Sequence, residues 1–232
     1  MPVLLGFFTK KSCAKRRIAW TSSVEVVSSE ASLKKKKEIR ITGGPSDVVD
    51  LVRAASPADA IVSNGAGNYT GWPQRFHAFS HYPSQLAPTS GAMGYGVPAA
   101  IAAAAVHPTR IAVAFAGDGC FQMNGQELAS AVQAGLKPLI LVIDNGQYGT
   151  IRMHQERHFP DRRIATALCN PDFAALARAC GAFGERIECT GAFAPALERA
   201  LDCDRAALLH LIVDPEQIST RQTLTALRAA TR

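Results

Sequence analysis

The sequence predicts an α/β fold: a doubly wound parallel sheet flanked by helices, arranged as three αβα layers. Three observations carry this. Apolar runs of strand length recur along the chain, they are near-continuously apolar rather than alternating, and longer helical patterns separate them. Continuous apolar strands belong to a sheet buried on both faces. Strand–helix alternation then requires parallel order with helical crossovers.

The first strand is predicted at Ala60–Ser63. Pro98 opens an alanine-rich helix to Val106, since proline suits the first helical turn, where an amide has no partner. The second strand, Arg110–Ala116, runs into Gly117-Asp118-Gly119-Cys120. Asn124 with Glu127 three residues on reads as a capping-box variant, starting a helix to about Ala134 that Gly135 stops. The third strand, Pro138–Ile143, ends in Asp144-Asn145-Gly146-Gln147. Asn170-Pro171 starts a helix that ends at Cys180, before Gly181. Ala194–Leu201 and Thr223–Ala230 are further helices, and Ala207–Val213 is the fourth strand.

Charge divides the chain in two. The 232 residues carry a net +6, yet the first forty alone hold ten basic and three acidic side chains. The remainder is therefore close to neutral. A basic leader over 1–46, with the lysine run Lys34–Lys37, precedes a domain over 47–232. The leader has no interleaved aromatic platform, and charge alone supports only weak, salt-sensitive binding, so nucleic acid is not an expected partner. No apolar stretch has the length of a membrane span. The cysteines, Cys13, Cys120, Cys169, Cys180, Cys189 and Cys203, contain no Cys-x-x-C pair. Zinc ribbons and iron–sulfur motifs lack support, and reduced thiols in a cytoplasmic protein are expected.

The chemistry is concentrated at two strand ends. In a parallel sheet, Gly117-Asp118-Gly119 and Asp144-Asn145 lie on the carboxyl edge, where doubly wound folds bind ligands. A carboxylate, an amide oxygen and a loop carbonyl can converge there as hard oxygen ligands suited to Mg²⁺ shared with phosphates. Gly117 and Gly119 leave the backbone open, so the amides of Gly119 and Cys120 can face an anion. A helix starting near Asn124 would add its positive end.

Gly117-Asp118-Gly119 followed by Asp144-Asn145 resembles the signature of thiamine-diphosphate-dependent enzymes, with Asp144 where the first of two asparagines usually stands. Ser90 to Ala100 and Phe121 to Leu128 are similar to the same regions of acetolactate synthase large subunits and related 2-oxo-acid enzymes. The resemblance covers about Asp59 to Val213, the cofactor-binding domain of that family. It implies that Asp118, the Asn145 side chain and the Gln147 carbonyl hold Mg²⁺. Gly119 and Cys120 would bind the diphosphate by their amides, with Cys120 in place of the usual serine. Gly67-Asn68-Tyr69 would touch the diphosphate from the other side, although synthases have Gln-His at the last two positions. Met93 would press beneath the cofactor, and the main chain of Gly91 and Met93 would bond its aminopyrimidine.

The resemblance also implies what stands outside these residues. In the family a glutamate from a second, pyrimidine-binding domain activates the cofactor, and no such glutamate is legible here. No catalytic residue is therefore assigned to this chain. It reads as the cofactor-binding half of an acetolactate-synthase-like enzyme acting on a pyruvate-like 2-oxo acid, truncated or in need of a partner domain, and homo-oligomeric. Synthases carry a tryptophan nine residues after the metal-binding asparagine, where this chain has His154. A benzoylformate-type decarboxylase is thus an alternative, and a non-catalytic cofactor-binding protein is another. Bland roles are assigned to Glu127 (capping), to Cys120 as a nucleophile (none) and to the His154/His158 pair (surface).

Overall fold

A computed structural model describes residues 49, 50, 52, 53 and 57–231. The basic leader 1–46, with Lys34–Lys37, Cys13, Glu25 and Glu30, lies outside the described residues. Six parallel strands form one sheet: β1 (Ile61–Asn64), β2 (Gln85–Leu86), β3 (Ala112–Gly117), β4 (Leu139–Asp144), β5 (Phe183–Ile187) and β6 (Ala207–Ile212). Their order is β2-β1-β3-β4-β6-β5. The four predicted strands correspond to β1, β3, β4 and β6, each displaced by one or two residues at its ends. β2 and β5 complete the sheet at its two edges.

Residues 49, 50, 52 and 53 are helical; among the described residues from 57 onward the α-helices are α1 (Gly71–Phe76), α2 (Gly96–Val106), α3 (Asp118–Asn124), α4 (Glu127–Gln133), α5 (Gly149–His158), α6 (Phe173–Ala179), α7 (Phe193–Asp202) and α8 (Leu224–Thr231). Both faces of the sheet are buried, as the continuous apolar strands required. On one face Val113, Phe115, Leu141 and Leu209 pack with Phe193 and Leu197 of α7. On the other, Ala114, Ile140 and Leu208 pack with Val97, Leu128 and Phe173. α2 sits tightly on β1: a side chain at Gly96 would place its Cβ 2.9 Å from the backbone of Asn64 and Gly65.

Two predicted helix starts are corrected. Asn124 does not cap a helix; it ends α3, and its amide nitrogen donates to the Gly94 carbonyl at 3.2 Å. The Glu127 carboxylate accepts from the Ser130 hydroxyl at 2.9 Å instead of reaching back across a cap. The helix next to the Gly-Asp-Gly turn therefore begins at Asp118, so Gly119 and Cys120 stand in its first turn. α6 is capped not by Asn170 but by Asp172, whose carboxylate accepts from the Ala175 amide at 3.0 Å.

The strand order fixes where a ligand can enter. From β1 the chain moves outward to β2, and from β3 it moves the opposite way to β4. The segments leaving β1 and β3 diverge, which opens a crevice at the carboxyl ends of these neighbouring strands.

Candidate functional site

An open cleft occupies that crevice. The loop after β1 contributes Gly67, Asn68 and Tyr69, the turn after β3 contributes Asp118, Gly119 and Cys120, and the segment after β4 contributes Asn145 and Gln147. Met93 also lines it. Gly91 does not: it is exposed, at a positive φ of 66°. The cleft has further walls that the sequence did not single out, among them Trp72, Tyr148, Thr150, Gln217 and Ile218.

Asp118 is 4% exposed and tied down at both oxygens. Oδ1 accepts from the amide of Gly119 at 2.8 Å, and Oδ2 from the amide of Gly146 at 3.0 Å and from Asn170 Nδ2 at 2.8 Å. Asp144 shares two of these donors: its Oδ1 accepts from Gly146 at 2.9 Å and from Asn170 Nδ2 at 2.7 Å. Two carboxylates thus stand side by side, bridged by one backbone amide and one side-chain amide. Burial raises the Asp118 carboxyl to about 6, against the hydrogen bonds from Asn170 and Gly119, and the negative charge of Asp144 adds to the rise. Burial also acts to raise Asp144, but hydrogen bonds from His210, Asn170 and Gly146 outweigh it and hold that carboxyl below its ordinary range.

The other predicted residues are positioned by contacts of long sequence range. Tyr69 packs its ring against Gly117, where a Cβ would lie 2.8 Å from the ring. Its hydroxyl accepts from the Gly65 amide at 3.1 Å and donates to Cys120 Sγ at 3.2 Å. Burial, reinforced by Cys120 beside it, pushes the Tyr69 phenol well above its ordinary value. Cys120 Sγ also accepts from the Gly94 amide at 3.0 Å. This thiol is a buried acceptor, in keeping with the absence of a nucleophilic assignment. Asn68 joins the loop to the far wall: Nδ2 donates to the Ile218 carbonyl at 2.9 Å and Oδ1 accepts from Thr150 at 3.1 Å. Gln147 Nε2 donates to the Pro215 carbonyl at 2.8 Å, while its amide donates to Asn145 Oδ1 at 3.3 Å.

Asp118, Asn145 and Gln147 thus all line one cleft. A single carboxylate with neutral oxygens suits a hard cation that completes its shell with water or phosphate. Among the described residues no group of three or more His, Cys, Asp or Glu side chains is arranged so that it could hold a metal ion by itself. His154 and His158 are exposed and stacked at 6.2 Å between ring centroids, as expected for a surface pair.

Residues 65–211, well over half the chain, match the model of the thiamine pyrophosphate enzyme, C-terminal TPP binding domain. The chain belongs to this family. It is 35% identical over 161 residues to the acetolactate synthase isozyme 2 large subunit of Escherichia coli K12, covering 68% of this chain and 29% of that protein. It is 30% identical to the sulfoacetaldehyde acetyltransferase of Alcaligenes xylosoxydans xylosoxydans, over 84% of this chain and 33% of that one. Among solved structures, the thiamine diphosphate-dependent 4-hydroxybenzoylformate decarboxylase of Rhodococcus jostii RHA1 aligns with a TM-score of 0.70 and 28% identity, covering 79% of this chain and 36% of that one. The chain thus spans about a third of the length of these relatives. The αβα architecture of this thiamine-diphosphate-binding domain is the one the strand pattern predicted. Asn170 and His210 were missed as site residues. Their partners lie 52 and 66 positions away, and no local spacing reports such contacts.

Proposed function

We propose that this chain is the cofactor-binding half of a thiamine-diphosphate-dependent enzyme acting on a 2-oxo acid, and that it holds the diphosphate through Mg²⁺. One observation carries the reading: Asp118, Asn145 and Gln147 reach a single cleft from the ends of β3 and β4, facing the loop Gly67–Tyr69. Asp118 Oδ1, the Asn145 amide oxygen and the Gln147 carbonyl would hold the cation. The amides of Gly119 and Cys120, in the first turn of α3, would face the diphosphate oxygens; at present Gly119 donates to Asp118. The close approach of Tyr148 explains why position 119 is glycine, since a Cβ there would lie 2.6 Å from its ring.

When bound, thiamine diphosphate supplies an electron sink for making or breaking the bond beside a 2-oxo carbonyl. This chain's residues bind and orient it. Met93, half-buried in the wall, would support the cofactor from below, and apolar Trp72, Ile143 and Ile218 would keep water from the cleft. Gly91 would contribute only its main chain. The activating glutamate would come from a pyrimidine-binding domain, and the working assembly we propose is an oligomer that brings such a domain onto the cleft.

Carboligation of the synthase kind and decarboxylation remain distinct outcomes. His154 is exposed and stacked on His158, outside the residues that line the cleft. This departs from the tryptophan of acetolactate synthases at that position and supports a decarboxylase or another carboligase as the second reading. Calorimetry tests the binding reading. The parent protein is expected to take up thiamine diphosphate only with Mg²⁺, and Asp118→Ala to lose that uptake. An Asp118→Ala protein that binds as the parent does would remove the assignment.

A further inference from the structure

Asn170 carries no role in the reading above, yet its side chain is saturated by the site. Its Nδ2 donates one hydrogen to Asp118 Oδ2 at 2.8 Å and the other to Asp144 Oδ1 at 2.7 Å. Its Oδ1 accepts from Gln122 Nε2 at 2.9 Å, which fixes which end of the amide faces the carboxylates. An amide nitrogen has two hydrogens, and both are spent on acidic side chains from different chain segments. The Asp144 end of this bridge is itself anchored, because Asp144 Oδ2 meets buried His210 Nε2 at 2.8 Å.

We propose that Asn170 is a positioning residue for the cation site: it holds Asp118 through Oδ2, so that Oδ1 is presented to the cleft in one orientation. This rests on the Mg²⁺ reading of Asp118, Asn145 and Gln147. A carboxylate has two equivalent oxygens and a soft terminal torsion, so the bonds on Oδ2 add to the single Gly119 amide on Oδ1 in fixing the direction of that oxygen. The Gly146 amide assists, at 3.0 Å from the same oxygen. Gly146 is main chain from the β4 end, whereas Asn170 is the side chain through which the segment before α6 reaches Asp118. Asp118 directly follows β3 as the first residue of α3 and Asp144 ends β4, so the Asn170 bridge also sets the spacing of the two chain segments that would supply the cation's ligands. Groups that orient metal ligands from behind are worth about ten- to a hundred-fold in metal affinity.

The test is a Mg²⁺ titration at saturating thiamine diphosphate, followed by calorimetry, with thermal unfolding measured separately without either ligand. Asn170→Ala is expected to raise the apparent Mg²⁺ dissociation constant about ten-fold or more, while the ligand-free unfolding midpoint stays near the parent's. Gln122→Ala removes only the bond to Asn170 Oδ1 on an exposed side chain, so folding is not at risk. It is expected to raise the same constant by a smaller factor. A parent that requires Mg²⁺, alongside an Asn170→Ala protein with the parent's constant, overturns the inference and leaves the cation reading standing. A parent that binds thiamine diphosphate equally with and without Mg²⁺ overturns both.

Discussion

His210 Nε2 lies 2.8 Å from Asp144 Oδ2, and the histidine is fully buried on β6. The ring nitrogen donates to a carboxylate that sits one residue before Asn145. A buried charge of this kind is tolerable only when it is partnered. The His210–Asp144 contact therefore links strands β4 and β6 by a buried side-chain hydrogen bond as well as by their backbone ladder.

Removing His210 should be costly for that reason. His210→Leu leaves Asp144 Oδ2 without its donor, while Oδ1 keeps Gly146 and Asn170, and the expected loss is about 1–3 kcal/mol, the scale for a buried acceptor left unsatisfied. Urea unfolding checks this: the midpoint should fall while the slope stays constant.

Gly117 is held small by Tyr69. A Cβ at position 117 would lie 2.8 Å from the ring, so Gly117→Ala must push the ring aside and strain its hydroxyl bond to Cys120. The expected cost is about 1–3 kcal/mol, as for other overpacked sites. In a double-mutant cycle with Tyr69→Ala the two losses should sum to less than their separate values, because the second change removes the clash. Strict additivity in the unfolding data would disprove the contact.

A third cluster predicts a pH dependence. Glu156 on α5 is fully buried, paired with Arg152 at 2.5 Å and with Arg228 of α8. The Arg228 hydrogen bond, assisted by the Asp161 amide and both arginines against the effect of burial, holds the carboxyl below its ordinary value of 4.5. The folded value is lower than the unfolded one, so the stabilisation is fully present above the unfolded value. It is lost as the pH falls through the folded one. Parent stability should therefore drop as the pH falls below the ordinary value of 4.5, and Glu156→Gln should flatten part of that slope. Denaturant midpoints at several pH values read both. An unchanged slope in the variant would exclude Glu156 as a contributor.

The strands legible in the sequence were those whose burial on both faces leaves continuous apolar runs: β1, β3, β4 and β6. The two edge strands were not. Gln85–Leu86 is too short to carry a pattern, and Phe183–Ile187 mixes Glu185 and Arg186 into a half-buried edge. The helix Gly149–His158 was missed because its buried residues are Arg152 and Glu156, which satisfy each other and leave no apolar stripe. Gly-Asp-Gly was legible as a ligand-facing turn, but it is also the start of α3, and its glycines masked that helix. Within the site, residues named from the signature and its family resemblance line the cleft, apart from Gly91. The Asn170 bridge and His210 could not be read, since both depend on strands meeting across the sheet.

The reversal of winding between β1 and β3 has a consequence for redesign. The crevice arises because two chain segments leave adjacent strands in opposite directions, so its volume is a property of topology and not a gap in packing. Beneath it Val113, Ala114 and Leu141 are completely buried and make none of its surface. Wall residues such as Ile151 or Gln217 can therefore be exchanged to reshape the cleft while the sheet beneath it keeps its register.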